Sequence, residues 1–312
     1  MTEMPAPPTA RTPSKPSALT RFARTVDRYG LWIYTFLAVG YLLVPIIVMI
    51  VFSFNKPDGK FNFVWKEFSI DAWLSPLSRP GLAEALGTSL AIAFLATLAA
   101  TALGTLIALA LVRYQFRGRT GASLFIFIPM ATPEIVMGAS LLTLFVGTAS
   151  AEPWRSIIPP GVFYPLGFNT ILIAHILFLI SFVVVTVRAR ISGFDRRLEE
   201  AAMDLGANEW TTFWRVTFPL IFPGILAASL LAFSLSIDDF IVTNFTSGLT
   251  NTFPVWIWGT IRNNLPVQVN VIGTIIFVTA VAIVLFGTLW SRRHDLREQR
   301  AAQAPRQEGA EG

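Results

Sequence analysis

The 312-residue chain has an apolar fraction of 54%, a mean hydropathy of +0.60 and only 14% charged residues, which excludes an ordinary water-soluble domain. It has no cysteine and two histidines, so disulfides, Cys-ligated zinc, thiol chemistry and multi-histidine metal sites are excluded. The net charge of +5 is spread over several segments without an aromatic-interleaved patch, so membrane topology explains it better than nucleic-acid binding.

In chain order, residues 1–30 form a Pro- and Ser-rich tail, too polar to pack and expected to be disordered. Six stretches follow that are apolar enough to span a bilayer core of roughly 30 Å, which needs about 20 helical residues. They lie near 31–53, 88–112, 121–147, 167–187, 220–243 and 268–290. No small-residue cleavage site follows the first, so it reads as an uncleaved span rather than a removable signal peptide. Residues 291–312 form a basic tail. The expected class is an all-α integral membrane protein with six transmembrane helices over 31–290.

Lys and Arg orient these spans. The N-terminal tail has Arg11, Lys15, Arg21, Arg24 and Arg28, and the 113–120 turn has Arg113, Arg117 and Arg119. The 188–219 loop has Arg188, Arg190, Arg196, Arg197 and Arg215, and the C-terminal tail has five arginines. The opposite side has Arg155, Arg262 and four basic residues of the 54–87 loop. The positive-inside rule therefore predicts both termini and the 188–219 loop on the cytoplasmic side.

Three acids fall inside apolar spans: Glu134 in the third, and Asp238 and Asp239 in the fifth. A carboxylate in hydrocarbon costs about 2.5–3.5 kcal/mol on insertion scales, so such groups face a partner or a wet pathway. In straight helices Glu134 would lie roughly 20 Å from the cytoplasmic end, and the aspartates roughly 27–30 Å along theirs. No Lys or Arg lies within a span to neutralise them. An acid set without built-in cations suits a cationic substrate. The competing readings are a helix end at the outer interface for the aspartates and a bond to freed backbone for Glu134. Pro129 and Pro133 each remove a helical hydrogen bond close to Glu134, and broken helices at membrane depth are tolerated where they line protein or a water-filled cavity.

His175, inside the fourth span, reads as hydrogen-bonded to a neighbouring helix rather than as a proton relay. Trp256 and Trp258, in the external segment 244–267, could give cation–π contacts to an ammonium, although interfacial anchoring is the commoner role. Gly104 and Ala100 mark a small-residue surface for close helix packing.

The 188–219 loop holds a soluble-looking helix. Leu198, Ala201, Ala202 and Leu205 repeat at helical spacing. Asp195 suits the N-cap, Glu199 and Glu200 the positive end of the helix dipole, and Gly206 the C-terminal turn. Glu200-Ala201-Ala202, three further residues including Asp204 and Leu205, Gly206, and then Val216-x-Phe218-Pro219 resemble the EAA loop of ABC importer permeases. Val216 and Phe218 stand where that family more often has Ile and Leu. The resemblance covers roughly residues 30–290 and implies a type I permease domain whose loop docks on a cytoplasmic ATPase. The chain has no G-x-x-x-x-G-K-S/T motif. It is expected to be a transport subunit rather than an enzyme and to bind no cofactor, with ATP and Mg held by the partner.

The stretch Ser234 to Thr243, and Pro129 to Met137 with its acid after Pro133, resemble the corresponding spans of polyamine permeases of the spermidine/putrescine type. That resemblance makes Glu134, Asp238 and Asp239, with Trp256, candidate contacts for substrate ammonium groups. It implies a bacterial inner-membrane complex of two permeases, an ATPase dimer and a periplasmic or lipoprotein binding protein. Alternatives are the same machinery with another cationic or amino-acid-derived solute, and a proton-coupled secondary carrier. Such carriers commonly show internal repeats and need no docking helix. A membrane-embedded enzyme fits least, because no catalytic constellation is evident.

Overall fold

The computed structural model describes residues 18–193 and 195–303, with the side chains of 18–28, 284, 286 and 288–303 left aside. Most of the tail expected over 1–30, and residues 304–312 of the basic tail, lie outside the described residues. Every regular element among the described residues is helical, and the one β contact is an isolated bridge between Asn55 and Phe68.

The chain divides into two units, residues 1–74 with 266–312, and residues 75–265. In the first unit, α1 (Ala18–Phe52) starts inside the stretch expected to be a loose tail. The reason is legible afterwards: no proline and no glycine interrupts residues 18–29, so helical periodicity runs through the basic residues into the apolar span. Its side chains from Leu31 to Val51 are largely exposed, including Trp32, Phe36 and Tyr41. An apolar surface of that length suits lipid rather than water. Asn62 closes the end of α1 by donating from Nδ2 to the Phe52 carbonyl at 2.9 Å. Asn55 knits the following loop, donating to Asn62 Oδ1 and to the Val64 carbonyl at 2.6 and 2.8 Å. A short α2 (Asp71–Leu74) sets Trp73 on Phe54, which also stacks on Phe68.

The second unit is built on α3 (Leu82–Arg113). A bent pair follows, α4 (Arg119–Ala131) and α5 (Glu134–Ser150), then the short α6 (Trp154–Ile157) and the long α7 (Phe168–Ser192). Next come α8 (Arg197–Asp204), α9 (Glu209–Thr212), a π-helical turn (Phe213–Thr217) and α10 (Phe218–Ile237). The unit closes with α11 (Ile241–Thr246) and α12 (Phe253–Ile261). The last helix, α13 (Val267–Gln303), belongs to the first unit and runs past the expected boundary at 290. There its Gly273 takes the sulfur of Met49 against its backbone.

The core of the second unit is α7 packed on α3 and α10. Ala96, Ala100, Gly104 and Ala108 recur every four residues on α3 and are fully buried or nearly so. With no bulk between the helices, van der Waals contact replaces the hydrophobic drive that lipid cannot supply. Gly104 shows how close the approach is, since a Cβ there would stand 2.6 Å from Val183 Cγ1 on α7.

Two of the six expected spans are not single helices. Segment 121–147 is interrupted at Thr132-Pro133, and α4 and α5 meet at a bend of 106°. Pro133 has no N–H, so helical bonding cannot pass through it. Thr132 ends α4 by returning both its backbone N–H and its hydroxyl to the Ile128 carbonyl, at 2.9 and 2.7 Å. Segment 220–243 likewise stops at Ile237 and restarts at Ile241. Among the described residues four helices are long and apolar enough to cross a bilayer, and the bent pair makes a fifth. The apolar part of α13, Val267–Ile283, is shorter.

The close α3–α7 approach makes a specific demand. Gly104→Leu is expected to cut the yield of folded, monodisperse protein in detergent severely, the overpacking costing about 1–3 kcal/mol or more. Gly87→Ala, where nothing lies within 4 Å, is expected to leave size-exclusion behaviour and melting temperature unchanged.

Candidate functional site

The two interrupted spans meet. Gly138 of α5 lies against the ring of Phe245 on α11, so close that a Cβ would stand 2.6 Å from Cδ2. Phe145 of α5, Ala174 of α7 and Val242 of α11 form a buried apolar cluster beside this contact. Glu134 opens α5 one helical turn before Gly138 and therefore shares its face. Its carboxylate is exposed, and it stands where the backbone N–H groups of a helix N-terminus favour negative charge. The straight-helix depth expected for Glu134 does not hold, because the chain turns through the bend just before it.

The two aspartates of the second break part company. Asp238 ends α10 and is exposed, whereas the side chain of Asp239 is 6% exposed and bonded through Oδ2. Asp239 Oδ2 accepts from the Thr243 N–H at 2.8 Å and from its hydroxyl at 2.7 Å. Thr243 is the third residue of α11, so this carboxylate caps the restarted helix. His175 Nε2 stands 3.3 Å from the same oxygen and 2.9 Å from Thr243 Oγ1, while Nδ1 is 2.7 Å from Ser236 Oγ. The count of no Lys or Arg within the spans stands, and a histidine on α7 meets Asp239 where that count does not reach. The reading of His175 as bonded to neighbouring helices agrees with its position.

Trp256 belongs to α12 and is tied to the chain just before α3. It is half-buried, and its indole N–H donates to the Pro80 carbonyl at 3.1 Å, beside Gly81 at the start of α3. Trp258 touches the residue that follows the aspartate pair. Its ring packs on Phe240 at 5.2 Å, with the Arg262 guanidinium 5.6 Å above it.

The segment between α7 and α10 forms a second candidate site. Asp195 accepts from the Arg197 N–H at 3.0 Å, as its capping chemistry suggested. Gly206 sits at φ +90°, a conformation that favours glycine. It lets the Ala207 N–H reach the Ala202 carbonyl and the Gly206 N–H reach that of Met203, closing α8 with a Schellman pair. Asn208 caps α9 through the Thr211 N–H at 2.8 Å. The face of α8 carrying Leu198 and Leu205 is exposed, with Leu205 91% accessible and Glu200, Ala201 and Asp204 open beside it. Trp210, Trp214, Phe218 and Phe222 form a ladder at four-residue spacing, which leads through Pro219 at the head of α10. Such aromatics suit a membrane–water interface.

Glu199 and Glu200 stand in the first turn of α8, as their dipole chemistry suggested, but Glu199 faces inward. It is buried, and its Oε1 accepts from Arg113 at the end of α3 and from the hydroxyl of Thr217 in the π-helical turn. Burial pushes its carboxyl up, but the Arg113 and Thr217 bonds outweigh that and hold it below the ordinary value of 4.5. From sequence Arg113 counts only toward topology, because its pairing with Glu199 depends on how α3 packs beside α8.

The profile of the family described as binding-protein-dependent transport system inner membrane component matches residues 100–303, which contain both sites. The chain belongs to this family. Among curated relatives, the spermidine/putrescine transport system permease protein PotC of Haemophilus influenzae is 36% identical over 263 residues, covering 84% of this chain and 96% of that protein. The putrescine transport system permease protein PotI of Escherichia coli K12 is 37% identical over 260 residues, covering 82% and 88%. A solved bacterial ABC transporter for import of the acidic polysaccharide alginate matches at a TM-score of 0.62 and 19% identity, covering 88% of this chain and 99% of that one. That likeness shows the ABC importer permease fold. The chain is thus a multi-pass inner-membrane transport permease.

The depressed Glu199 pKa sets a sign for the pH response. Its contribution is complete above about pH 4.5 and is lost as pH falls through the lower folded value. Protection of the α8 amides, taken relative to their intrinsic exchange at each pH, is expected to hold from pH 7 to 4.5 and to fall as pH drops further. Glu199→Gln is expected to speed exchange at pH 7, with a loss on the order of 2 kcal/mol, and to flatten the pH response.

Proposed function

We propose that this permease moves polyamines of the spermidine and putrescine class as one of two membrane subunits of an ATP-driven importer. The observation that carries this reading is 36–37% identity, across nearly the whole chain, to permeases named for those cargos. The chemistry agrees. Glu134 and Asp238 are exposed carboxylates at neighbouring breaks, and no Lys or Arg lies within the expected spans to compete for them. A flexible polycation needs spaced anions of this kind, and an anionic cargo would be repelled by them. Trp258 packs on Phe240 beside the second break, but one face of its ring already carries the Arg262 guanidinium.

The chain has six spans with both termini on the cytoplasmic side, as the Lys and Arg distribution supports. That orientation gives the exposed face of α8 to a cytoplasmic ATPase dimer, which holds ATP and Mg; this chain holds neither. Leu198, Ala201, Leu205 and Gly206, rimmed by Glu200 and Asp204, provide the docking ridge. Arg113 and Thr217, both bonded to Glu199, then carry its movement into α3 and α10. A second permease and a periplasmic or lipoprotein binding protein complete the assembly.

In cells expressing the whole complex, uptake of labelled putrescine is expected to stop on ATP depletion and to survive an uncoupler while ATP is maintained. The opposite pattern would indicate a proton-coupled carrier. Glu134→Gln with Asp238→Asn is expected to lower uptake by about tenfold or more while the complex still assembles. Unchanged uptake would remove both acids from the pathway.

A further inference from the structure

The paired aspartates are chemically alike, yet their surroundings separate them. Asp238 is exposed, whereas Asp239 spends its carboxylate on Thr243 and His175. The hydrogens in this cluster can be assigned. Thr243 Oγ1 gives its proton to Asp239, so it can only accept from His175, which requires a proton on Nε2. Nδ1 then faces Ser236 Oγ. Ser236 lies on the last turn of α10 and Thr243 on α11, so one imidazole is bonded to both sides of the broken span. Thr170, five residues before His175 on α7, adds a parallel tie by donating to the Thr246 carbonyl at 2.7 Å.

We infer that His175 and Asp239 form an anchor that holds the α10–α11 break against α7, and that Asp238 alone of the aspartate pair meets the cargo. Asp239 and His175 are positioning residues that act through the shape of the break. Three features support this division. The imidazole is 1% exposed, Thr243 is wholly buried, and the acceptor oxygen of Asp239 already has two hydrogen bonds and the imidazole beside it. A cargo ammonium meeting that oxygen would have to displace those partners, and the Asp239 side chain as a whole is 6% exposed, whereas Asp238 is open. The inference rests on the polyamine-pathway reading for the role of Asp238 but not for the anchor itself.

The absence of native cysteine makes the anchor measurable without transport. Val242→Cys, at a fully buried position of α11, is expected to react slowly with a water-soluble maleimide in the assembled transporter. Adding His175→Ala or Asp239→Asn is expected to speed labelling by about tenfold or more, because local opening exposes the site. Adding Asp238→Asn is expected to leave the rate unchanged. In uptake of labelled putrescine, Asp238→Asn is expected to raise KM by about tenfold, while His175→Ala and Asp239→Asn lower the maximal rate and move KM less than about twofold. Combining His175→Ala with Asp239→Asn is expected to be no worse than the poorer single variant, as members of one unit behave. His175→Gln, which keeps a donor toward Thr243, is expected to recover part of the rate and to serve where the alanine variant fails to assemble.

A KM rise for Asp239→Asn matching that of Asp238→Asn, or multiplying losses for His175 and Asp239, would overturn the division of roles. Labelling unaffected by His175→Ala and by His175→Gln would overturn the anchor. Labelling that follows expectation while Asp238→Asn leaves uptake intact would sink only the pathway reading of Asp238.

Discussion

In hydrocarbon, every backbone N–H and C=O needs a partner within the protein, and this constraint decides where the permease can be irregular. Two apolar segments break it, at Thr132-Pro133 and at Asp238-Asp239. Each break is repaired by side chains. Thr132 returns its hydroxyl to the Ile128 carbonyl, and Asp239 supplies the acceptor that the first turn of α11 lacks. The same breaks carry the exposed acids Glu134 and Asp238. Irregular backbone and unneutralised charge are both costly at that depth, and here one location holds both. The close fit of Gly138 against Phe245 brings the two breaks to a common region of the fold.

The segment between α7 and α10 solves a different problem with ordinary soluble-protein devices. Asp195, the Gly206 turn and the Asn208 cap define α8 and α9 without help from packing, leaving the apolar face of α8 uncovered. What ties the helix to its own subunit is a polar clamp, Glu199 with Arg113 and Thr217. A helix held by one buried carboxylate and free along its apolar ridge suits docking to another protein. The π-helical turn that supplies Thr217 adds a residue to the helical repeat and re-aims the chain into α10. The exposed face of α8 and the membrane helices are therefore joined by a short set of directional bonds.

The long helices were legible because sustained apolar runs have few alternatives, and α3 and α7 fall close to their expected positions. The small-residue face around Ala100 and Gly104 was legible for the same reason, since it needs only spacing. The breaks were partly legible. Pro129 and Pro133 announced the first, but proline alone does not state an angle, and a bend of 106° invalidates depth counted along a straight helix. The second break carries no proline, and only the adjacent aspartates hinted at it. Pairings between distant residues could not be read. His175 with Asp239, and Arg113 with Glu199, are set by how α3, α7, α8 and α11 pack, and one sequence holds no register for that. Exposure separated the two aspartates where residue type could not.

On the proposed reading, the acids at the two breaks face a path taken by a cationic solute. Single cysteines at Ile135 and Ile237, next to the acids but sparing them, test it in the assembled transporter, since the chain has no cysteine of its own. Both are expected to react faster with a cationic methanethiosulfonate than with an anionic one, and spermidine is expected to slow the reaction. Equal reactivity toward both reagents, with no protection by saturating spermidine, would place the acids off any such path.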